Sequence, residues 1–537
     1  MSRSKTSPAH TLSSIRVKLG RNARPELVAL LTALLVVALL LSVLSACAPR
    51  VASSTSSSSS LTGTVDILTP TGSNKFDSNT PLNTWTDMSD ALYGSLRTQG
   101  FADTQITRSS ASTLSSQIDQ ISRLITTYSG QTDRHSHVLL LAPVRAVDTD
   151  ESRAIVQRYG DLVTQPDMTE DSVEYKNMST SDQNQYTELT EKLASTLSKA
   201  QKMGMTVVLM AQKVPGFTEN YYVSFSTAQS IARIQTDNLV KKLQLDKATT
   251  RDRVAIEMIL PMNTGSEFTR TLFSTAWKIL QPYFTTGVAY SPSGLLNEDT
   301  TDEDWRDVTI ARDNAESVTA ALESRLIGKT SDGNASDMLE SLQSPSGTSS
   351  GTFLNVNGIL AFNDFSAQSV VSALSSIGFT GTSASVNPNI TLESIVKTLT
   401  DNADVRKARV PAPADSAFSA NSSSSSHSSS HSAATSTSSA LSWPVVTGYG
   451  AAIHTIPDIV NGKIWITTME DRNASARAAS ALVKAICKGE TTTTQLAKSV
   501  PDLTDTTITV SLVAVNADNL KKNLLDTGYI SAADAGL

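Results

Sequence analysis

Residues 204–225 read GMTVVLMAQKVPGFTENYYVSF, and together with the segment that follows to Leu243 they decide the fold. Thr206 to Met210 is a short apolar run without polar alternation, the mark of a strand covered on both faces in a parallel sheet. Pro215-Gly216 supplies a turn, and Tyr221 to Phe225 is a second β-rich run. From Ser226 to about Leu243 the apolar residues Ile231, Ile234, Leu239 and Leu243 fall near helical spacing. Ligand crevices of such sheets open just beyond the strand C-termini, so Met210-Ala211-Gln212 faces a candidate site.

The same alternation extends in both directions. Val65 to Leu68, Thr104 to Thr107 and His137 to Leu141 read as strands, separated by helices at Trp85 to Gln99 and Leu114 to Tyr128. A second series begins at Val254 to Leu260 and continues through Val356 to Phe362, Pro444 to Gly448 and Ile464 to Thr467, again with helices between. Strands alternating with helices predict α/β architecture with doubly wound parallel sheets and right-handed crossovers. The chain has 537 residues, enough for two lobes with separate cores. Asp148 to Ser181 is polar and acidic and reads as a surface excursion. Pro411 to Ser442 is rich in Ser, His and Ala, reads as disordered, and belongs in a loop between elements.

The N-terminus carries an address. Residues 1–46 hold six basic residues and the single acid Glu26, net +5. The whole chain stands at −7, which leaves −12 for residues 47–537. So acidic a body offers no clustered counter-charge to phosphates and argues against a nucleic-acid partner. Leu27 to Leu44 is almost wholly apolar and ends in Leu44-Ser45-Ala46-Cys47. Basic region, apolar core and small residues together read as a secretory signal. Cys47 after Leu-Ser-Ala resembles a bacterial lipobox, which implies acylation of that thiol and an extracytoplasmic chain anchored to the membrane. A plain spanning anchor is the other reading of the apolar run. The only other cysteine, Cys487, sits in the apolar pattern Ala479, Leu482, Val483 and Ile486, and is expected to be a buried core thiol without a disulfide partner.

Pro215-Gly216 with Tyr221-Tyr222-Val223-Ser224-Phe225 resembles the xylose- and multiple-sugar-binding branch of the type I periplasmic binding proteins, the solute receptors of ABC importers. Asn363-Asp364 after a strand, Val513 to Leu520, and Asp526-Thr527-Gly528-Tyr529 extend the likeness over most of residues 63–537. The resemblance implies two doubly wound lobes joined by a three-strand hinge. It divides the chain into a leader (1–46), a serine-rich tether (47–62), an N-terminal lobe (63–248, interrupted at 148–184), a C-terminal lobe (249–466, interrupted at 411–442) and a return of 467–537 to the first lobe. Crossings are expected near Leu245–Arg251, Gly381–Lys397 and Thr467–Asp471. The implied function is a solute receptor binding a small ligand, a carbohydrate by analogy, and docking on an ABC permease without covalent chemistry or a cofactor. A sensory or scaffold lipoprotein that keeps the fold but has left transport is the alternative.

Within that resemblance, Asn363 and Asp364 open a helix at a strand end, where the family reaches sugar hydroxyls; Asp364 could equally cap the helix. Trp85 and Trp305 stand where the family has aromatic residues, and a rigid indole face complements the C–H face of a sugar ring. The family's Tyr-Asp-Arg is Met210-Ala211-Gln212 here, its Gly-Gln-Asp-Ala is Gly448-Tyr449-Gly450-Ala451, and its Tyr-Lys-Pro is Met469-Glu470-Asp471. Gln212, Asn263 and Tyr449 are the residues placed to substitute for the lost groups.

Catalytic motifs do not assemble. Gly347 to Gly351 fits G-x-S-x-G but lacks the strand-to-helix turn that would expose the serine. His135 and His137 have no Cys or carboxylate set to complete a zinc site, and His427 and His431 lie in the serine tract.

Overall fold

The computed structural model describes residues 61–73, 80–130, 137–327, 353–383, 441–490 and 492–533. The expectations for the leader, for acylation of Cys47, for the tether up to residue 60 and for the serine tract up to residue 440 fall outside these residues, as do Gly347 to Gly351.

The first lobe is built on a seven-stranded sheet. Its strands are β1 (Thr64–Pro70), β2 (Ile106–Ala111), β3 (His137–Leu141), β4 (Thr206–Met210) and β5 (Tyr221–Ser224), with β13 (Leu503–Thr504) and β14 (Thr507–Thr509) added at one edge. The order is β13-β14-β5-β4-β3-β1-β2, parallel throughout except for the β13–β14 pair. All five residues of β3 are buried. Val138 and Leu140 join the core on one face, Leu139 and Leu141 the core on the other. A continuous apolar run thus still alternates across the pleat, with a helical layer receiving each side. Helix α1 (Trp85–Gln99) packs on one face; α2 (Leu114–Tyr128) and α5 (Thr180–Lys202) pack on the other. Thr84 caps α1 by accepting from Asp87 N, and Gly100, at φ 105°, closes it in a conformation that costs glycine little.

The second lobe repeats the plan. Strands β6 (Val254–Met258), β8 (Ala289–Tyr290), β10 (Gly358–Leu360), β11 (Val445–Tyr449), β12 (Ile466–Met469) and β15 (Val513–Val515) form a six-stranded sheet. Its order is β15-β12-β11-β10-β6-β8, with β15 alone antiparallel. A separate two-stranded pair joins β7 (Leu260–Pro261) to β9 (Thr309–Ile310). Setting aside the edge strands β13, β14 and β15, the strand order in each lobe, numbered along the chain, is 2-1-3-4-5, the doubly wound arrangement expected. Helices α6 (Ala228–Leu243) and α7 (Ser266–Thr285) cover one face, and α8 (Ala315–Leu326) and α9 (Asp364–Ile377) the other.

Three passages join the lobes, and two lie elsewhere than expected. The first runs through Phe225–Thr227, before α6 rather than after it. Ile231, Ala232, Leu239 and Val240 of α6 pack with Ile256, Met258 and Leu360 of the second sheet. Gln235 Nε2 donates to Phe362 O at 3.0 Å and Gln235 Oε1 accepts from Thr447 Oγ1 at 2.6 Å. A buried glutamine matched on both ends fixes that helix to the second lobe. The second passage leaves β12 at Met469 and enters α10 (Arg472–Cys487), which packs against α1 in the first lobe. The third separates β14 from β15, so Val513 onward returns to the second lobe instead of ending in the first. In the stretch expected to hold a crossing at Gly381–Lys397, the described Ser383 is bound to the second lobe through Ser383 N donating to Gly462 O at 3.0 Å. Cys487 is buried in the first lobe's core, and burial pushes its thiol up to about 11.

The 148–184 segment is a surface excursion only in its second half, residues 169–184, where no residue is buried. It forms α3 (Asp150–Tyr159) and α4 (Val173–Asn177) and passes into α5, which begins at Thr180. Ile155, Tyr159, Leu162 and Val163 are all buried. Ile155 and Tyr159 lie one turn apart on one side of α3, and Leu162 and Val163 follow Gly160, which ends the helix at φ 87°.

Candidate functional site

The C-terminal ends of both sheets' strands face the gap between the lobes, and α3 lies in that gap. Tyr159 is 2% exposed, its ring centroid 4.8 Å from Phe268 and 5.8 Å from Tyr449, both in the second lobe. Asn363 Nδ2 approaches its hydroxyl at 3.5 Å. Arg158 pairs through Nε with Asp313 at 2.7 Å and stacks its guanidinium 3.6 Å from the centroid of the Phe365 ring. A second wedge, Pro81 to Asn83, enters from the first lobe. Leu82 N donates to Gly450 O at 3.0 Å, and its side chain joins the second lobe's core.

Beside α3 the gap opens into a cavity of about 750 Å³. First-lobe strand ends and loops supply one wall through Thr71, Trp85, Val144, Arg145, Ala211 and Gln212. Residues 148–165 add Ser152, Arg153, Val156, Gln157, Asp161 and Gln165 to the lining, and among the described residues Phe365 is the one from the second lobe. The size suits a small ligand, for which pockets run about 300–1,000 Å³. Ala211 holds φ at 62°, a left-handed conformation that costs a non-glycine residue roughly 1–2 kcal/mol. It is secured by Ala211 N donating to Val223 O at 3.1 Å and by Tyr222 Oη donating to Ala211 O at 2.7 Å. The strained residue sets the direction in which Gln212 leaves β4.

Charge in these walls is internally matched. Arg145 pairs with Glu174 at 3.3 Å, Arg153 with Asp148 at 3.0 Å and also with Asp150, and Arg158 with Asp313. Asp161 accepts from Ser73 N and Trp85 N, both at 2.9 Å, and from Ser73 Oγ at 2.6 Å. Burial raises its carboxyl above the usual range while these donors pull it back. Gln165, 6% exposed, donates Nε2 to Ser152 O at 3.4 Å, and its Oε1 has no partner.

Of the seven residues expected at the ligand, Trp85 and Gln212 line this cavity. The other five do not. Asn363, not Asp364, caps α9, its Oδ1 accepting from Ser366 N at 2.8 Å. Asp364 is a tie inside the second lobe, accepting from Thr467 Oγ1 at 2.6 Å, Ala452 N at 2.9 Å and Thr455 Oγ1 at 3.1 Å. Burial raises its carboxyl, and a Cβ at Gly448 would overlap its Oδ1. Tyr449 is 2% exposed, and burial drives its phenol far up. Asn263 Nδ2 donates to Asp313 Oδ1 at 3.2 Å, close to the Arg158 pair. Trp305 is 1% exposed in the core with Trp277 and Phe284. Sequence reasoning passed over Arg158, Tyr159, Asp161 and Gln165, and the apolar residues Ile155, Tyr159, Leu162 and Val163 among them were the signal that could have found them.

The passages themselves are cross-tied. Glu470, 1% exposed, follows β12 and accepts from Ser226 N at 2.9 Å and Ser226 Oγ at 2.8 Å on the first passage. Its other oxygen accepts from Ser475 Oγ at 2.9 Å, and its backbone carbonyl accepts from Asn83 Nδ2 at 2.8 Å. Arg472 Nη1 donates to Leu82 O and Asn83 Oδ1 at 3.2 and 3.1 Å. Among the described residues no group of three His, Cys, Asp or Glu could hold a metal ion, and no helix is long and apolar enough to cross a membrane.

No protein-family profile and no curated protein matches the chain. Among solved structures it is similar to a β-D-glucose-bound ABC transporter solute-binding protein from Clostridium phytofermentans, at 16% identity over 88% of this chain and 99% of that one, with a TM-score of 0.42. A ribose ABC transporter protein from Conexibacter woesei is similar at 10% identity over 87% and 96%, with a TM-score of 0.43. A sugar ABC transporter protein from Actinomyces odontolyticus is similar at 10% identity over 86% and 98%, with a TM-score of 0.44. The fold follows from strand order and connectivity: two 2-1-3-4-5 sheets linked by three passages make this a type I periplasmic-binding fold.

Proposed function

We propose that the chain is an extracytoplasmic, lipid-anchored solute-binding protein of an ABC importer, and that its solute is a carbohydrate held in the cavity beside Trp85. The observation that carries this reading is the cavity itself. It lies at the carboxyl ends of the first lobe's parallel strands, where open α/β sheets place their ligands. Trp85 offers an apolar face, and Gln212, Gln157 and Gln165 offer neutral polar ends of the kind that orient hydroxylated ligands. Such a protein binds and releases its solute without bond making. Titration calorimetry against mono- and oligosaccharides tests the assignment; failure of all of them to bind removes the carbohydrate. Labelling with a radioactive fatty acid tests the anchor, with signal expected from the native chain and lost in Cys47→Ser.

One observation favours a second reading. Tyr159 occupies the second lobe's side of the gap, and a receptor whose lobes are already joined suits a sensory or scaffold lipoprotein that has left transport. Uptake of a bound solute in vesicles carrying the neighbouring permease distinguishes the two.

A further inference from the structure

Helix α3 presents two different faces to its surroundings. Residues three or four apart on a helix share a face. Ser152, Arg153, Val156 and Gln157 fall on one and line the cavity. Glu151, Ile155, Arg158 and Tyr159 fall on the other and meet the second lobe. There a Cβ added to Gly265, just ahead of α7, would come within 2.6 Å of Glu151 Oε2. Ile155 and Tyr159 enter the core built on Ile256, Met258 and Phe268. Arg158, at the rim of the cavity, pairs with the buried Asp313 and covers the Phe365 ring, while Asn363 meets the Tyr159 hydroxyl.

The chain that follows α3 grips the first lobe and the first passage. Asp161 N donates to Asn83 O at 3.2 Å, and its carboxylate accepts from Ser73 and from Trp85 N. Thr164 N donates to Ser226 O at 2.7 Å. Gly160 is the turn between the two grips. It holds φ at 87°, and a Cβ there would lie 3.2 Å from both Asn83 O and Pro81 Cβ, so a side chain would be strained and crowded at once. Between Glu151 and Thr164 the polypeptide thus binds both lobes.

In a two-lobed protein the closed form is favoured by whatever touches both lobes there and only one of them in the open form. Here such contacts come from within the chain, with no association entropy to overcome. We propose that residues 151–164 are an internal strap that holds the two lobes closed in the absence of any solute. Opening the gap then requires release of Arg158 and Tyr159 from the second lobe, or of Asp161 from the first. The strap does not depend on the carbohydrate assignment, since it grips the lobes whether or not the cavity is filled.

The test is X-ray scattering of the native chain, shown by native mass spectrometry to carry no small molecule, beside three variants. Arg158→Ala/Tyr159→Leu removes the grip on the second lobe, and Asp161→Asn weakens the grip on the first. Phe284→Leu disturbs the second lobe's own core at the far end of α7 from Phe268. Far-UV circular dichroism checks that each stays folded. The expected result is a larger radius of gyration and maximum dimension in both strap variants, and native dimensions in Phe284→Leu. Asp161→Asn keeps the size and shape of the side chain, so it decides the matter even if the double variant fails to fold. Native dimensions in a folded strap variant overturn the proposal. Expansion of Phe284→Leu overturns it too, because size would then follow stability. Contraction of the solute-free native chain on adding D-glucose or D-ribose also overturns it, while supporting the receptor reading.

Discussion

Glu470 is held among groups that all bear on its charge. Burial lifts its carboxyl from 4.5 to about 7, donors from Ser226 and Ser475 pull it down, and Asp471 pushes it up. Because the folded value lies above the unfolded one, its contribution to stability is complete below pH 4.5 and is lost as pH rises through about 7. The loss is roughly 3 kcal/mol when complete. Asp66, Asp161 and Asp364 are raised by burial as well and act with the same sign. Denaturant midpoints measured from pH 4.5 to 8 are expected to fall, and in Glu470→Gln the fall is expected to be shallower. Asp364 makes a second residue-scale prediction. Asp364→Ala leaves Thr467, Thr455 and Ala452 N without their acceptor, a loss of about 3 kcal/mol or more, read as a lower urea midpoint at unchanged slope. At this scale the sequence was legible in kind but not in role. Asn363-Asp364 was visible as a polar pair opening a helix, yet which of the two caps depends on Thr467 and Thr455, about a hundred residues further on.

Among the elements, α3 has most to answer for. Its sequence reads as polar and acidic, and only the i, i+4 spacing of Ile155 and Tyr159 marks the side that is buried. Composition averages that pair away; spacing keeps it. Truncating Tyr159 to alanine removes a fully buried ring and is expected to cost about 3–5 kcal/mol by chemical denaturation. The Arg158–Asp313 pair, with side chains 13% and 2% exposed, predicts a non-additive cycle. Arg158→Ala alone strands a buried carboxylate and is expected to lose about 3–5 kcal/mol, whereas adding Asp313→Ala recovers part of that loss. Helix α6 teaches the complementary lesson. Its existence was plain from Ile231 and Leu239, but a helix's apolar face does not announce which of two similar sheets it will cover.

For the molecule as a whole, two lobes need not behave as two folding units. Tyr159, Leu82 and the Glu470 ties place first-lobe residues and both neighbouring passages in contact with the second lobe. A single calorimetric transition is expected for the native chain, with calorimetric and van't Hoff enthalpies in agreement, and Tyr159→Ala is expected to separate it into two. The strand order and doubling of the architecture could be read from alternation alone, because each run of strand and helix is local. The passages could not, since a chain leaves one sheet for another through short links with no composition of their own.

Strand β14 lies outside β5 on one sheet, and β15 lies outside β12 on the other. The outer sides of β5 and β12 are thus both covered by residues 507–515. A nascent polypeptide lacking that stretch would present two raw margins at once, each able to template pairing with another chain. Aggregation during biogenesis should therefore rise steeply with a nonsense codon just upstream of Thr507, which removes residues 507–537 and with them both pairings.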